Sequence, residues 1–344
     1  MPAAHHPMHS QPAPPAQPER APSASPAASP APAPGNPVGP LDALRIAVIG
    51  FLMGCADLVP GVSGGTIAFV GGIYERLIHG LKSFDLGLVR RLLARDWAGV
   101  WRSVPFVFFV CLGAGLLTAI ASLAGLVSRL FVTHPVQLWA AFFGLVLGSI
   151  VLLARETWRW RPLDWALFAA AAVATYVIVG LPMLAQPPEG LPYLFLCGAI
   201  AICAMILPGI SGSYLLVILG QYHRVLEAVH SRDFVALGVF VAGIVVGIMS
   251  FVRVVSFLLR RFHHATLIAL TGVMAGALRT IWPWRETIST RVNSKGVEVP
   301  VEQVNVLPPD WSAVPPALLW LAVGVVAVLV LARLRPAPAA APCK

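Results

Sequence analysis

Past Pro40 the chain is a succession of apolar runs, most about twenty residues long, parted by short polar segments. A helix of about 20 apolar residues crosses the hydrocarbon core of a bilayer. The pattern therefore predicts full spans over 103–128, 136–154, 164–184, 234–258, 264–281 and 315–333. The runs are continuous, which disfavours a β-barrel, whose strands alternate apolar and polar positions over about ten residues. Two regions depart from the pattern. Residues 43–60 and 66–80 are interrupted by Pro60-Gly61-Val62-Ser63-Gly64-Gly65, and residues 191–207 and 212–229 by Pro208-Gly209-Ile210-Ser211-Gly212-Ser213. Proline lacks an N–H donor and glycine favours non-helical angles, so one helix should end at each motif and another begin just beyond it.

The two interruptions belong to an internal repeat. Aligning Pro60 with Pro208 also pairs Gly50 with Gly198, Cys55 with Cys203, Gly72 with Gly220, Tyr74 with Tyr222, Arg76 with Arg224 and Asp85 with Asp233. Further on, Gly144-Leu145-x-x-Gly148-Ser149 matches Gly272-Val273-x-x-Gly276-Ala277. Each half holds one broken pair and three full spans. Whether the pair dips in and returns or crosses twice, the number of crossings is odd, so the second half enters from the opposite side. The expected fold is an all-α polytopic transmembrane bundle of two inverted-topology repeats, each with a broken or re-entrant helix pair. The expected divisions are a tail over 1–40, repeats over 41–188 and 189–335 with an external insert at about 283–314, and a short tail over 336–344.

Composition agrees with a membrane protein: 58% of the 344 residues are apolar, 11% are charged and the mean hydropathy is +0.80. A formal charge of +9 raises nucleic acid as a partner. The basic residues, however, sit in short clusters between apolar runs, as topology signals do, so no nucleic-acid partner is expected. Lys82, Arg90, Arg91, Arg95, Arg102, Arg155, Arg159, Arg161, Arg260, Arg261, Arg333, Arg335 and Lys344 fall on one face. They outnumber Arg129, Arg224, Arg232, Arg285, Arg291 and Lys295 on the other. The first face is therefore expected to be cytoplasmic, with both termini on it. The segment 286–304 reads as a small external β-hairpin. Residues 1–40, with 13 prolines and 10 alanines, read as a disordered tail in which His5, His6 and His9 are solvated. The cysteines show no C-x-x-C spacing, and neither a metal site nor a cofactor is expected.

Non-helical backbone at membrane depth is tolerated only when it is buried in protein or lines a wet cavity, so two related breaks point to one shared site. Past each break the chain re-enters a helix with unpaired N–H groups, which suit an anion. Gly61, Ser63, Gly64, Gly65 and Thr66 in the first break, and Gly209, Ser211, Gly212 and Ser213 in the second, are the expected phosphate-binding set. Asp57, whose repeat mate is Met205, is an asymmetric intramembrane acid suited to proton or sodium coupling, or to capping local backbone as a neutral side chain. Arg76 and Arg224 fit either an anionic headgroup or a snorkelling role at helix ends. Arg253 and Arg279 lie close enough to span ends to snorkel, and the tryptophans read as an interfacial belt.

Asp57-Leu58-Val59-Pro60-Gly61-Val62-Ser63-Gly64-Gly65-Thr66 with Gly72-Ile73-Tyr74-Glu75-Arg76, and Ala204-Met205-Ile206-Leu207-Pro208-Gly209-Ile210-Ser211-Gly212-Ser213 with Leu219-Gly220-Gln221-Tyr222, resemble the paired signatures of the bacterial polyprenyl-phosphate transporter family. The resemblance covers residues 41–335. It implies a flippase of the bacterial cytoplasmic membrane that returns undecaprenyl phosphate from the outer to the inner leaflet for cell-envelope synthesis, with undecaprenyl phosphate and membrane lipid as partners. It leaves the oligomeric state open. A membrane lipid pyrophosphate phosphatase and an ion-coupled small-anion transporter are the competing readings. The first needs a nucleophile, a base and charge stabilisers converging on phosphate, and neither turn contains a histidine or arginine.

Overall fold

A computed structural model of the chain describes residues 39–333 apart from Pro60, residues 158–159, Ala185 and residues 293–297. The two tails expected at the termini, the Pro60 position of the first break and the tip of the hairpin around Asn293-Ser294-Lys295-Gly296 lie outside the described residues.

The described chain forms the helices α1 (Pro40–Asp57), α2 (Gly64–Val70), α3 (Tyr74–Lys82), α4 (Leu86–Leu93), α5 (Trp97–Ser103), α6 (Phe106–Thr133) and α7 (Pro135–Glu156). It continues with α8 (Pro162–Ile178), α9 (Leu191–Ile206), α10 (Gly212–Ile218), α11 (Tyr222–His230), α12 (Phe234–Arg261), α13 (His263–Ala277) and α14 (Val314–Arg333). Strands β1 (Arg285–Val292) and β2 (Glu298–Asn305) pair antiparallel between α13 and α14.

The starts of these helices follow from their first residues. Proline at the first turn opens α1, α7, α8 and α9, where its missing donor costs nothing. Asp85, Asp96 and Asp233 accept N–H bonds at the starts of α4, α5 and α12. The basic segment 82–102, which lies between the predicted apolar runs, contains α4 and α5 because two of those capping aspartates sit in it. The span expected over 164–184 ends earlier, at Ile178. Gly180 and Pro182 follow immediately, and neither continues a helix.

Five helical stretches are long and apolar enough to cross a membrane: α6, α7, α12, α14, and α13 with the short 3-10 turn that follows it, Leu278–Ile281. Helices α8 and α9 are shorter apolar helices. Large apolar side chains face outward along these helices, among them Val110, Leu117, Leu319, Val326 and Val330. A soluble monomer does not display so much apolar surface. The protein is a multi-pass membrane protein.

Packing repeats along the chain. Helix α1 packs on α6 and α9 on α12, while α7 packs on α14 and α8 on α13. Small residues make these approaches possible. A Cβ on Gly50 would collide with the Leu112 carbonyl and one on Gly115 with the Ala47 carbonyl. At the aligned positions, Gly198 meets Phe240 and Gly243 meets Phe195 in the same way. Likewise Gly144 lies on Leu321 of α14, and its counterpart Gly272 lies on Phe168 of α8. The largest core cluster gathers the first broken pair, α3, and the inner faces of α6, α7, α12, α13 and α14.

Candidate functional site: two contacting helix breaks

The first break runs from the end of α1 to the start of α2. Gly61 adopts φ +86°, and its carbonyl accepts a hydrogen bond from Thr280 Oγ1 at 3.1 Å. Such a φ suits glycine and strains other residues. Asp57, at the end of α1, reaches across the break and accepts the Gly64 N–H at 2.7 Å through Oδ1. Ser63 Oγ accepts the Gly65 N–H at 3.2 Å. The first donors of α2 are thus met by the chain's own oxygens. Gly64 has to be glycine for this, since a Cβ there would lie 2.6 Å from Asp57 Oδ2. Residues 61–66 are all buried, and the Thr66 hydroxyl is buried with no hydrogen-bond partner among the described residues.

The second break runs from the end of α9 to the start of α10. Gly209 repeats the positive φ, at +96°, and lies against Met274 and Ala277 of α13. From there the two breaks diverge. Met205 stands where the first has Asp57, and α10 has no side-chain cap. The Ser211 and Ser213 hydroxyls lie 2.9 Å apart and bond to each other. Ser213 is exposed and Ser211 half-buried, whereas Gly209 and Gly212 are buried.

The breaks touch. Ser63 Oγ donates to the Leu207 carbonyl at 3.4 Å, and Gly65 faces the carbonyls of Met205 and Ile206. Gly61, Ser63, Gly64, Gly65, Thr66, Gly209, Ser211, Gly212 and Ser213 therefore belong to two adjoining turns, one sealed and one partly open. Asp57, expected from the sequence as a coupling group, is engaged as the cap of α2.

Arg76 and Arg224 do not join the turns. Arg76 forms an ion pair with Asp42 at 2.8 Å and lies over the Phe108 ring. Asp42 and Asp57 are about 22 Å apart along α1 at a rise of 1.5 Å per residue. Arg224 donates to the Gly190 carbonyl at 3.3 Å, at the corresponding end of α9. Gly190 is the repeat mate of Asp42, so the two arginines make equivalent contacts. A cavity of about 800 Å³ lies beside Arg224, with Gln186, Glu189, Gly190, Gln221 and Glu227 among its walls.

Two polar cross-links tie α13 to other elements. His263 Nε2 lies 2.7 Å from Glu75 Oε1 of α3, and His264 Nε2 lies 3.2 Å from Asp164 Oδ2 of α8. The His263 hydrogen bond holds the Glu75 carboxyl below its ordinary range, and His263 and His79 add their charge.

The sequence reading passed over a third group. Arg279, Arg285 and Tyr214 gather at the hairpin end of the bundle. Trp139, Trp282 and Trp284, expected as interfacial belt residues, pack there with Arg285 and Phe143. The available sequence signal was a basic residue flanked by tryptophans at the base of the hairpin.

A family model described as undecaprenyl phosphate translocase-like matches residues 53–299. The chain belongs to this undecaprenyl phosphate translocase-like family. A polyprenyl-phosphate transporter of Vibrio cholerae serotype O1 is 45% identical over 259 residues, 75% of this chain and 84% of the relative. A polyprenyl-phosphate transporter of Staphylococcus aureus is 29% identical over 251 residues, 68% of this chain and 84% of the relative. No solved structure matches the chain. The family match spans both breaks and the Arg279–Arg285 group, and it stops before α14.

Proposed function

We propose that this protein is a flippase that carries undecaprenyl phosphate from the outer to the inner leaflet of the bacterial cytoplasmic membrane, so that the carrier is reused in envelope synthesis. The observation that carries this reading is the contact between the two breaks, Ser63 Oγ to the Leu207 carbonyl, inside a bundle whose outer faces are apolar. Family membership and the names of the two relatives support polyprenyl phosphate as the substrate.

The topology we infer is an inverted repeat with re-entrant pairs. Arg45 Nη2 donates to the Gly71 carbonyl at 2.7 Å, so the end of α2 returns to the level of the early part of α1. At the aligned positions, Tyr193 OH donates to the Leu219 carbonyl at 3.0 Å. Each short helix thus turns back towards the side from which its partner came, which leaves three crossings per half. The packing of α7 on α14 and of α8 on α13 interlocks the halves. The basic segments favour the end bearing α4 and α5 as cytoplasmic.

On this reading the phosphate is held at the turns, chiefly by the open Ser211 and Ser213, while the polyprenyl tail stays in lipid between helices. Rocking of the halves exposes the turns to each leaflet in turn. The two mouths differ: Arg76 is closed onto Asp42, whereas a cavity opens beside Arg224. The Ser211 and Ser213 hydroxyls bond to each other and not to a general base, which favours holding phosphate over hydrolysing it.

The test is a proteoliposome assay of undecaprenyl phosphate flipping. Ser211→Ala with Ser213→Ala is expected to lose most of the activity while the protein stays monodisperse. Undiminished flipping in that double variant rejects the turns as the site.

A further inference from the structure

Arg285 opens β1 and turns its guanidinium into the protein, over the face of Trp139 at 4.1 Å. Its Nε donates to the Trp282 carbonyl at 3.1 Å, whereas Nη2 is buried without a hydrogen-bond partner among the described residues. The neighbouring Trp284 Nε1, which can only donate, is in the same condition. Burial pulls the Arg285 guanidinium down to about 10, which leaves it charged at neutral pH.

A second arginine, Arg279, shares the surroundings of Tyr214 with this one. Asn305 is the register partner of Arg285 in the hairpin, and its Nδ2 donates to the Arg279 carbonyl at 2.8 Å. The Arg279 side chain lies across the end of α8, against Gly180, over the Tyr176 ring at 4.4 Å and near the Tyr176 carbonyl at 3.4 Å. Tyr214 of α10 meets the same helix end, its hydroxyl donating to the Val179 carbonyl at 2.8 Å. That hydroxyl is within electrostatic reach of both arginines. Neither arginine has a carboxylate partner among the described residues.

Two cations that both act on Tyr214, one of them with a buried and unpartnered Nη2, carry a desolvation penalty unless an anion meets them. The planar fork of arginine matches a phosphate in a bidentate manner. Ser213, the exposed hydroxyl of the second break, is the immediate chain neighbour of Tyr214. We propose that Arg285 and Arg279, beside Tyr214, form a phosphate-monoester subsite at the hairpin end of the bundle, which receives the headgroup before it reaches Ser211 and Ser213. This rests on the polyprenyl-phosphate reading and names residues that reading did not contain. The base of the hairpin then has a purpose: it buries a cation at the entrance to the second break.

The experiment measures binding to the purified full chain in lipid nanodiscs with three probes: undecaprenyl phosphate, undecaprenol and inorganic phosphate. Arg285→Gln is expected to weaken undecaprenyl phosphate roughly thirtyfold, as loss of one partner of a desolvated charge pair does. Undecaprenol binding should be unchanged, and Arg285→Lys should recover part of the loss. A purely structural role for Arg285 would move both lipids alike and would overturn the proposal. If Arg285→Gln does not fold, Arg279→Gln decides on the same phosphate-over-alcohol difference. Undecaprenyl phosphate binding within about twofold of wild type in the folded variants removes the subsite and leaves the flippase reading standing. Wild-type protein that binds no undecaprenyl phosphate overturns both. Loss of inorganic phosphate binding alone overturns the headgroup assignment in favour of a free-phosphate site.

Discussion

The two breaks have the same backbone and different chemistry. Both follow an apolar helix, both place a glycine at positive φ against the α13 region, and both lead into a seven-residue helix. In the first, Asp57 and Ser63 satisfy the new helix from within and every residue from 61 to 66 is buried. In the second, Met205 replaces the acid, no side chain caps α10, and Ser213 is open. The comparison teaches that duplication supplies a scaffold of two turns and that divergence divides the labour. One turn is a closed structural pivot capped from within by its own carboxyl. The other has Met205 in place of the acid, and on our proposal Arg285 and Arg279 draw an external anion towards it.

The largest effect should come from making the second break resemble the first. Met205→Asp places a carboxylate beside Gly212, just as Asp57 lies beside Gly64. An anion fixed there opposes a phosphate by several kcal/mol, so polyprenyl phosphate transport should fall by about 100-fold or more. The neutral Met205→Asn retains most of it. Flipping assays on both variants, with size-exclusion profiles to check folding, give the answer. Equal activity in Asp and Asn variants would mean that the second break does not hold the anion.

The reverse change tests the pivot. Asp57→Ala leaves the Gly64 N–H unpaired in a buried turn and should cost about 1–3 kcal/mol of stability. Asp57→Asn keeps an acceptor oxygen and should lose much less. Thermal unfolding in detergent ranks the two. A separate role for Asp57 in coupling predicts a different signature, namely that Asp57→Asn stays folded yet loses any dependence of flipping on a proton or sodium gradient. The two measurements separate cap from coupler.

Much of this architecture was legible in the sequence, and the reason differs from element to element. The breaks were visible because Pro-Gly-x-Ser-Gly cannot continue a helix, and their kinship because Gly50, Gly72 and Tyr74 recur at one spacing. The helix pairings were not legible. Gly144 faces Leu321 and Gly272 faces Phe168 across the boundary between halves, a choice that depends on which apolar faces fit and not on local preference. Arg76 and Arg224 were correctly paired with each other, but periodicity does not say that α3 and α11 lie at the far ends of α1 and α9 from the turns. The Arg285 group escaped notice because its members come from the turn after α13, from α10 and from the hairpin base. Trp139 and Trp282 read as belt residues because span-flanking position shows in the sequence and their contacts with Arg285 and Phe143 do not.

A smaller effect tests how the first break is braced. Thr280 Oγ1 donates to the Gly61 carbonyl at 3.1 Å and lies 2.8 Å from the Ala277 carbonyl. Thr280→Val keeps the shape and removes the hydroxyl, at an expected cost of about 0.5–1.5 kcal/mol, the net value of one hydrogen bond. The second break shows no such brace among the described residues, where Gly209 meets Met274 and Ala277 through apolar contact. Substitution at Met274 should therefore act through volume alone, and Met274→Leu should be milder than Thr280→Val in thermal unfolding.

The smallest effect concerns the link between the halves. Glu75 of α3 and His263 of α13 meet at 2.7 Å on the half-exposed end of the bundle. The Glu75 carboxyl is held below its ordinary range, first by the His263 hydrogen bond and then by nearby charge. A carboxyl lowered on folding contributes stability above its unfolded value and loses it as pH falls through the folded one. Wild-type protein should therefore lose thermal stability on acidification below the ordinary glutamate range, and Glu75→Gln should lose less over the same interval. Exposure of the pair keeps the difference small. If instead the two pH profiles run parallel, Glu75 and His263 do not brace the first half against α13, and the halves are joined at this end by the His264–Asp164 contact and apolar packing.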